Sequence, residues 1–175
     1  MKIDDIYSLF SKSSGISTDT RKIKKKSIFF CLKGKNFNGN LFIDQALSLG
    51  ASSVIYDEEK LNHKSEKAIK VKNTLETLQH LAKHHRSKFN IPVIGLTGSN
   101  GKTTSKELFN SVLSQKFGVT CTSNNLNNHI GVPLTILEIN RKTDLAIIEM
   151  GANHIGEIDL LCSIADPNIG YITNF

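Results

Sequence analysis

Gly95-Leu96-Thr97-Gly98-Ser99-Asn100-Gly101-Lys102-Thr103-Thr104 is the stretch on which the fold turns. An apolar run, Pro92 to Thr97, precedes the turn and reads as a strand. Lys102 to Phe117 follows it and reads as a helix with Leu108, Val112 and Leu113 on its inner face. Strand, glycine-rich turn and helix together form the layout that places phosphorylated ligands at the carboxyl ends of an open α/β sheet. Glycines let backbone N–H groups turn inward around anionic oxygens, and the helix aims the positive end of its dipole at them. Gly98, Ser99, Asn100, Gly101, Lys102, Thr103 and Thr104 are therefore the expected nucleotide-binding residues. Lys102 would neutralise the β- and γ-phosphates of ATP, and the Thr103 hydroxyl would ligate Mg²⁺. The strict Gly-x4-Gly-Lys-[Ser/Thr] spacing is not met, because Leu96 stands where the first glycine would be. The alternative is a glycine-rich turn with an incidental lysine.

Outward from the turn, the pattern is α/β throughout. On the N-terminal side, Ile3, Ile6, Leu9 and Phe10 space as a helix, and Ile28 to Leu32 reads as a buried strand. Phe42 to Leu49 reads as a helix, Ser53 to Tyr56 and Ala68 to Val71 as strands. Thr74 caps a helix running towards Phe89. His80, His84 and His85 on that helix are expected to face solvent, since no carboxylate completes a metal set with them. On the C-terminal side come a strand at Val119 to Thr122, an Asn-rich loop, and a helix at Leu134 to Ile139. A buried strand from Leu145 to Met150 contains Glu149, followed by a helix at Ile155 to Ala165 and a strand at Ile169 to Thr173. The composition changes at Asn90-Ile91-Pro92, which sets the expected boundary between a domain at 1–90 and one at 91–175.

Charge divides the same way. Residues 1–90 hold 17 Lys and Arg against 9 Asp and Glu, whereas residues 91–175 hold 5 against 7. A basic N-terminal half suits an anionic partner. Nucleic acid is the less favoured candidate, because aromatics do not interleave with the basic residues as a stacking platform requires. No apolar run in the 175 residues is long enough to span a bilayer, and the first residues carry no export pattern, so the expected compartment is the cytoplasm. Cys31, Cys121 and Cys162 are odd in number and far apart, which predicts reduced, partly buried thiols.

Several segments resemble the Mur ligase family. Thr97 to Thr104 is similar to that family's variant phosphate loop, which folylpolyglutamate synthetases share. Asn124-Asn125-Leu126-Asn127-Asn128-His129-Ile130-Gly131-Val132-Pro133 resembles its Asn-Asn-x-Ile-Gly-Val-Pro segment. Glu149-Met150-Gly151-Ala152, Gly156-Glu157-Ile158 and Ile172-Thr173-Asn174 follow in the family's order. Further matches are Ser17-Thr18-Asp19-Thr20-Arg21, Phe29 to Gly34, and Asn36 to Phe42. The resemblance implies a small N-terminal α/β domain that binds a UDP-sugar, followed by an incomplete phosphate-loop parallel-sheet ATPase domain. It implies a ligase that activates a peptide carboxylate with ATP and Mg²⁺ as an acyl phosphate, which an amine then displaces. The substrates implied are UDP-MurNAc-tripeptide and D-Ala-D-Ala, used in peptidoglycan precursor synthesis by a monomeric enzyme.

Residue by residue, the resemblance implies Lys102, Asn128 and Glu149 as catalytic and Thr103 with Glu149 as metal ligands. Asp19, Thr20, Arg21, Lys33, Gly34 and Asn40 would surround the UDP-sugar. Glu149 at the end of a buried strand is also costly to bury without a cation. Which of Asn124, Asn125, Asn127 and Asn128 acts is left open by the sequence. Thr20 stands where the family has Ser, and Asn40 where it has His. Family members are more than twice this length, so the chain is expected to be an N-terminal portion without activity of its own. Its second domain is expected to be the less stable, because missing strands leave edges open. Competing readings are another ligase of the family or a folylpolyglutamate synthetase, a non-catalytic UDP-sugar or nucleic-acid binder, and a regulatory NTPase.

Overall fold

Short apolar strands alternating with helices give two separate parallel sheets in the computed structural model, which describes residues 2–174. The chain divides into two compact units, Met1–Leu78 and Gln79–Phe175. Helix α1 (Ile3–Ser11) opens the first, with Asp4 and Asp5 in the turn where the helix dipole favours acids. Strands β1 (Ile16–Ser17) and β2 (Ile28–Phe30) follow. A hairpin of β3 (Lys33–Gly34) and β4 (Phe37–Asn38) then leads into α2 (Ile43–Ser48), β5 (Ser53–Tyr56) and β6 (Ala68–Lys70). The sheet order is β1-β2-β5-β6, parallel throughout, with Phe29 opposite Val54. Every residue of β2 and β5 is buried, which is why Ile28–Phe30 and Val54–Tyr56 read as continuous apolar runs rather than alternating ones. Phe29, Cys31, Ile43, Ala46, Val54 and Tyr56 form the core of this unit.

The two-residue β1 and the β3–β4 hairpin were not foreseen, being too short to show a period. Gly39 closes the hairpin region. A Cβ there would sit 2.8 Å from the Cys31 backbone, so no other residue fits without a shift. Burial, and secondarily Asp57, pushes the Cys31 thiol up to about 12, and burial pushes Cys121 up to about 11. All three cysteines are free.

Helix α3 (Thr74–Arg86) straddles the unit boundary. The end of α3 is bonded within the second unit. The buried Arg86 guanidinium donates to the carbonyls of Phe89 (2.7 Å), Ala165 (3.1 Å) and Asp166 (3.1 Å). His85, expected to face solvent, is buried there too. Its Nε2 lies 2.7 Å from the Ile139 carbonyl, which as an acceptor assigns the Nε2–H tautomer, and its ring meets Phe89 edge-on.

The second unit continues with β7 (Val93–Thr97), α4 (Lys102–Leu113), β8 (Val119–Cys121), α5 (Gly131–Ile136), β9 (Leu145–Glu149), α6 (Glu157–Ala165) and β10 (Ile169–Ile172). The parallel order is β10-β7-β9-β8, so β9 is a central strand, buried along its length, and all four residues of β10 are exposed at an edge. Helix α4 is rotated relative to the sequence reading. Leu108 and Val112 are exposed, and Lys106 is the residue it buries. Helix α5 starts three residues earlier than expected.

Burial holds the His85 imidazole below its ordinary value of 6.5, against the pull of the Ile139 carbonyl and with repulsion from His84 adding to the shift. Because the folded value is depressed, the unfolded chain binds the proton more readily. Stability is therefore full above pH 6.5 and falls as pH drops from there towards the folded value. Chemical denaturation of the second unit between pH 7.5 and about 5 should show this loss, and His85→Gln should flatten that part of the curve.

Candidate functional site

The carboxyl ends of β7 and β9 carry the groups that matter. Gly98 (φ +135) and Gly101 (φ +77) occupy backbone regions that favour glycine. A Cβ at Gly98 would strike the Thr173 hydroxyl. The residues after β10 close around this loop. Asn174 Oδ1 accepts from Ser99 Oγ (2.9 Å) and Asn100 N (2.8 Å), and the Thr173 hydroxyl donates to the Asn100 carbonyl. Lys102 folds back over the loop, donating to the carbonyls of Gly98 (2.6 Å) and Ser99 (3.4 Å). No side chain caps the N-terminus of α4 among the described residues, so its first-turn N–H groups are available to an anion.

Glu149, the last residue of β9, is 1% exposed. Its Oε1 accepts from Asn127 Nδ2 (2.9 Å) and faces the Thr103 hydroxyl (3.4 Å). Its Oε2 is buried and without a hydrogen-bond partner among the described residues. Adjacent β8 contributes through Thr122, whose hydroxyl accepts from Glu149 N at 2.9 Å.

Asn127 is thus the asparagine that reaches the carboxylate. The carbonyl of Asn127 also accepts from Gly151 N (2.8 Å), fixing the loop to the strand end. Asn128, expected to act on the reacting groups, spends its Oδ1 on Ile130 N (3.0 Å) and Gly131 N (2.9 Å), which starts α5 three residues early. A cleft of about 510 Å³ opens beside these groups, lined by Lys102, Asn127, Asn128, His129, Gly151 and His154. At its rim, backbone hydrogen bonds from Asn153 and His154 hold the Glu157 carboxyl below its ordinary range.

In the first unit the expected substrate residues follow the carboxyl ends of β1 and β2. Asp19 N-caps a short turn at Thr20–Lys22 and pairs with Arg21 at 2.7 Å. Side-chain and backbone hydrogen bonds from Arg21 pull its carboxyl down to about 2. Arg21 itself is 86% exposed. Gly34 is exposed beside Lys33, whose ammonium lies 3.2 Å from Asp57 and 3.4 Å from Glu58.

Asn40, expected to contact the sugar nucleotide, is buried and engaged internally. It donates to Asn38 Oδ1 (2.8 Å) and Asp57 Oδ1 (3.2 Å) and accepts from Asp57 N (3.1 Å). Of the six, only Asn40 lines a second cleft of about 340 Å³, with Asn38, Leu41, Asp44, Glu58 and His63. Asp57, which the sequence reading passed over, is the hub here, accepting also from Thr74 N and Oγ1 at 3.0 Å each. Its position just past β5 is the same signal that drew attention to Glu149.

A parallel sheet with a glycine loop, an uncapped helix and a buried acid at adjoining strand ends defines a phosphate-loop α/β unit. Comparison with known proteins narrows this. Residues 12–86 match the catalytic domain of the Mur ligase family, and residues 96–175 match the Mur ligase middle domain. The UDP-N-acetylmuramoyl-tripeptide–D-alanyl-D-alanine ligase of Bacillus subtilis is 44% identical over 161 residues, 91% of this chain and 35% of the relative. A crystal structure of MurF from Acinetobacter baumannii superposes with a TM-score of 0.83 at 35% identity, covering 91% of this chain and 35% of that one. MurF from Thermotoga maritima, solved in complex with ADP, gives 0.81 at 34% identity, with 91% and 37% covered. The chain belongs to the Mur ligase family, and it spans about a third of the length of the relatives it matches.

The two asparagines should separate experimentally. Asn128→Ala should lower stability by about 1 kcal/mol, as losing a helix-start acceptor does, and leave ADP affinity within about twofold. Asn127→Ala should weaken Mg²⁺-dependent ADP binding about tenfold, read by calorimetry. Gly98→Ala should lower the melting temperature by ~3 °C or more, through positive-φ strain and the clash with Thr173.

Proposed function

We propose that the chain forms the UDP-sugar-binding and much of the ATP-binding portion of a ligase joining D-Ala-D-Ala to UDP-MurNAc-tripeptide. The reaction proceeds by ATP-dependent formation of an acyl phosphate on the tripeptide carboxylate, followed by attack of the dipeptide amine with loss of phosphate. One observation carries this reading: Glu149 is buried at the head of a glycine loop, with Oε1 facing the Thr103 hydroxyl and Oε2 accepting no hydrogen bond among the described residues. Lys106 stands 4.0 Å from Oε2 without bonding to it, so the acceptor stays costly to bury unless a bound cation meets it.

A divalent cation fits these residues. Thr103 Oγ1 and Glu149 are two oxygen donors, and among the described residues no larger cluster of His, Cys, Asp and Glu could hold a metal. Two protein donors suit Mg²⁺, which keeps waters and takes phosphate oxygens for its remaining positions. When bound, it would neutralise charge between the nucleotide and the attacking carboxylate. The chain's own residues do the rest. The N–H groups of Gly101 to Thr104 cradle the phosphates, and Lys102 exchanges the loop carbonyls for β- and γ-phosphate oxygens. Asn127 fixes the rotamer of Glu149.

The domain at 1–90 holds the UDP-sugar through Asp19, Thr20, Arg21, Lys33, Gly34 and Asn40. The domain at 91–175 holds ATP. Free cysteines are in keeping with a cytoplasmic compartment.

Calorimetry tests the reading. The chain should bind ADP in MgCl2 and bind it at least tenfold more weakly in EDTA. It should also prefer UDP-MurNAc-tripeptide over UDP-MurNAc-dipeptide and ignore folate. Binding of the dipeptide form or folate in preference would assign the chain to another branch. ADP binding indifferent to both Mg²⁺ and Glu149→Gln would remove the cation from the account. Phosphate release should be absent from the chain alone.

A further inference from the structure

Lys106 takes no part in the proposed reaction, yet it is 0% exposed, and lysine is rarely buried unless paired. It lies on the inward face of α4, one turn beyond Lys102. Its Nζ donates to the Thr122 carbonyl (2.8 Å) and meets Glu107 Oε1 (2.8 Å). Glu149 Oε2 stands 4.0 Å away, too far for a hydrogen bond and close enough for strong attraction in a buried site. Lys106 and Glu149 are also tied to the same residue of the neighbouring strand end, the one through the Thr122 carbonyl and the other through its hydroxyl.

The two carboxylate oxygens are therefore treated differently. Oε1 is held by Asn127 and Thr103, and Oε2 receives charge without having a lone pair occupied. We propose that Lys106 is a positioning residue acting through Glu149: it is the resident counter-charge that keeps this carboxylate buried and aligned while leaving Oε2 open to a divalent cation. This rests on the reading of Glu149 as cation-facing. It follows that neutralising Lys106 strands a buried carboxylate, and that a divalent cation can take over its role.

The test is a double-mutant cycle on thermal unfolding of the whole chain, without nucleotide and in EDTA. Lys106→Met should lower the melting temperature by ~6 °C or more, as breaking a buried pair does. Adding Glu149→Gln in that background should raise it by ~3 °C or more, and Lys106→Arg should retain most of the original value. Millimolar MgCl2 should raise the melting temperature of Lys106→Met and leave that of the unaltered chain nearly unchanged.

Additive effects of the two substitutions would overturn the proposal and reduce Lys106 to packing, and a coupled cycle with no response of Lys106→Met to MgCl2 would overturn it by leaving Lys106 an ion-pair partner only. If Lys106→Met does not fold, refolding by added Glu149→Gln supports the pairing, and continued failure refutes it. An additive cycle alongside intact Mg²⁺-dependent ADP binding sinks only this inference. A coupled cycle without Mg²⁺-dependent binding sinks the cation reading instead.

Discussion

A carboxylate buried at the end of a central strand is the constraint around which the second unit is arranged. Glu149 is taken out of water by β9 lying between β7 and β8, and burial of a charged group requires partners from whatever packs against that strand end. They come from three directions: Asn127 from the loop before α5, Thr103 and Lys106 from α4, and Thr122 from the end of β8. Each fixes an element as well as a charge. The asparagine loop is drawn onto the sheet, α4 is rotated so that a lysine rather than a leucine faces inward, and β8 is registered against β9. One oxygen is left over, and it gives the unit a chemical purpose in the ligase reading.

The glycine loop is constrained from the other side. Gly98 has no room for a side chain because Thr173 and Asn174, following β10, occupy that space and bind the loop backbone. The loop proposed to receive phosphates is thus held in shape by residues more than seventy positions away in sequence, and Lys102 rests on its carbonyls. Rigid support of this kind means that little reorganisation is needed when phosphates arrive. The first unit repeats the theme with Asp57, which gathers Lys33, Asn40 and Thr74 at its own sheet's carboxyl edge. There the gathered groups satisfy one another, and Asn40 lines the cleft beside them.

Much of this was legible in advance. Runs such as Val54–Tyr56 and Leu145–Ile148 are apolar because their strands are buried on both faces, so strand positions came directly from composition. Glu149 was visible because an acid closing such a run is anomalous. The same anomaly marked Asp57, which was missed only because no motif drew attention to it. Asn127 could not be told from Asn128: adjacent residues in a loop point in different directions, and only the register of α5 decides which one faces the strand.

The sequence by itself determined the α/β class, the strand and helix order, the phosphate loop and the family to which these motifs belong. Those depend on local patterning and on residues contiguous in the chain. Tertiary structure alone decided which face of α4 turns inward, which asparagine holds Glu149, that His85 and Asn40 are buried, and that Lys106 stands beside the acid. The physical reason is common to all four. The groups that settle each orientation lie on other elements, and their demand for a hydrogen bond or a counter-charge exists only once the sheet has brought them together.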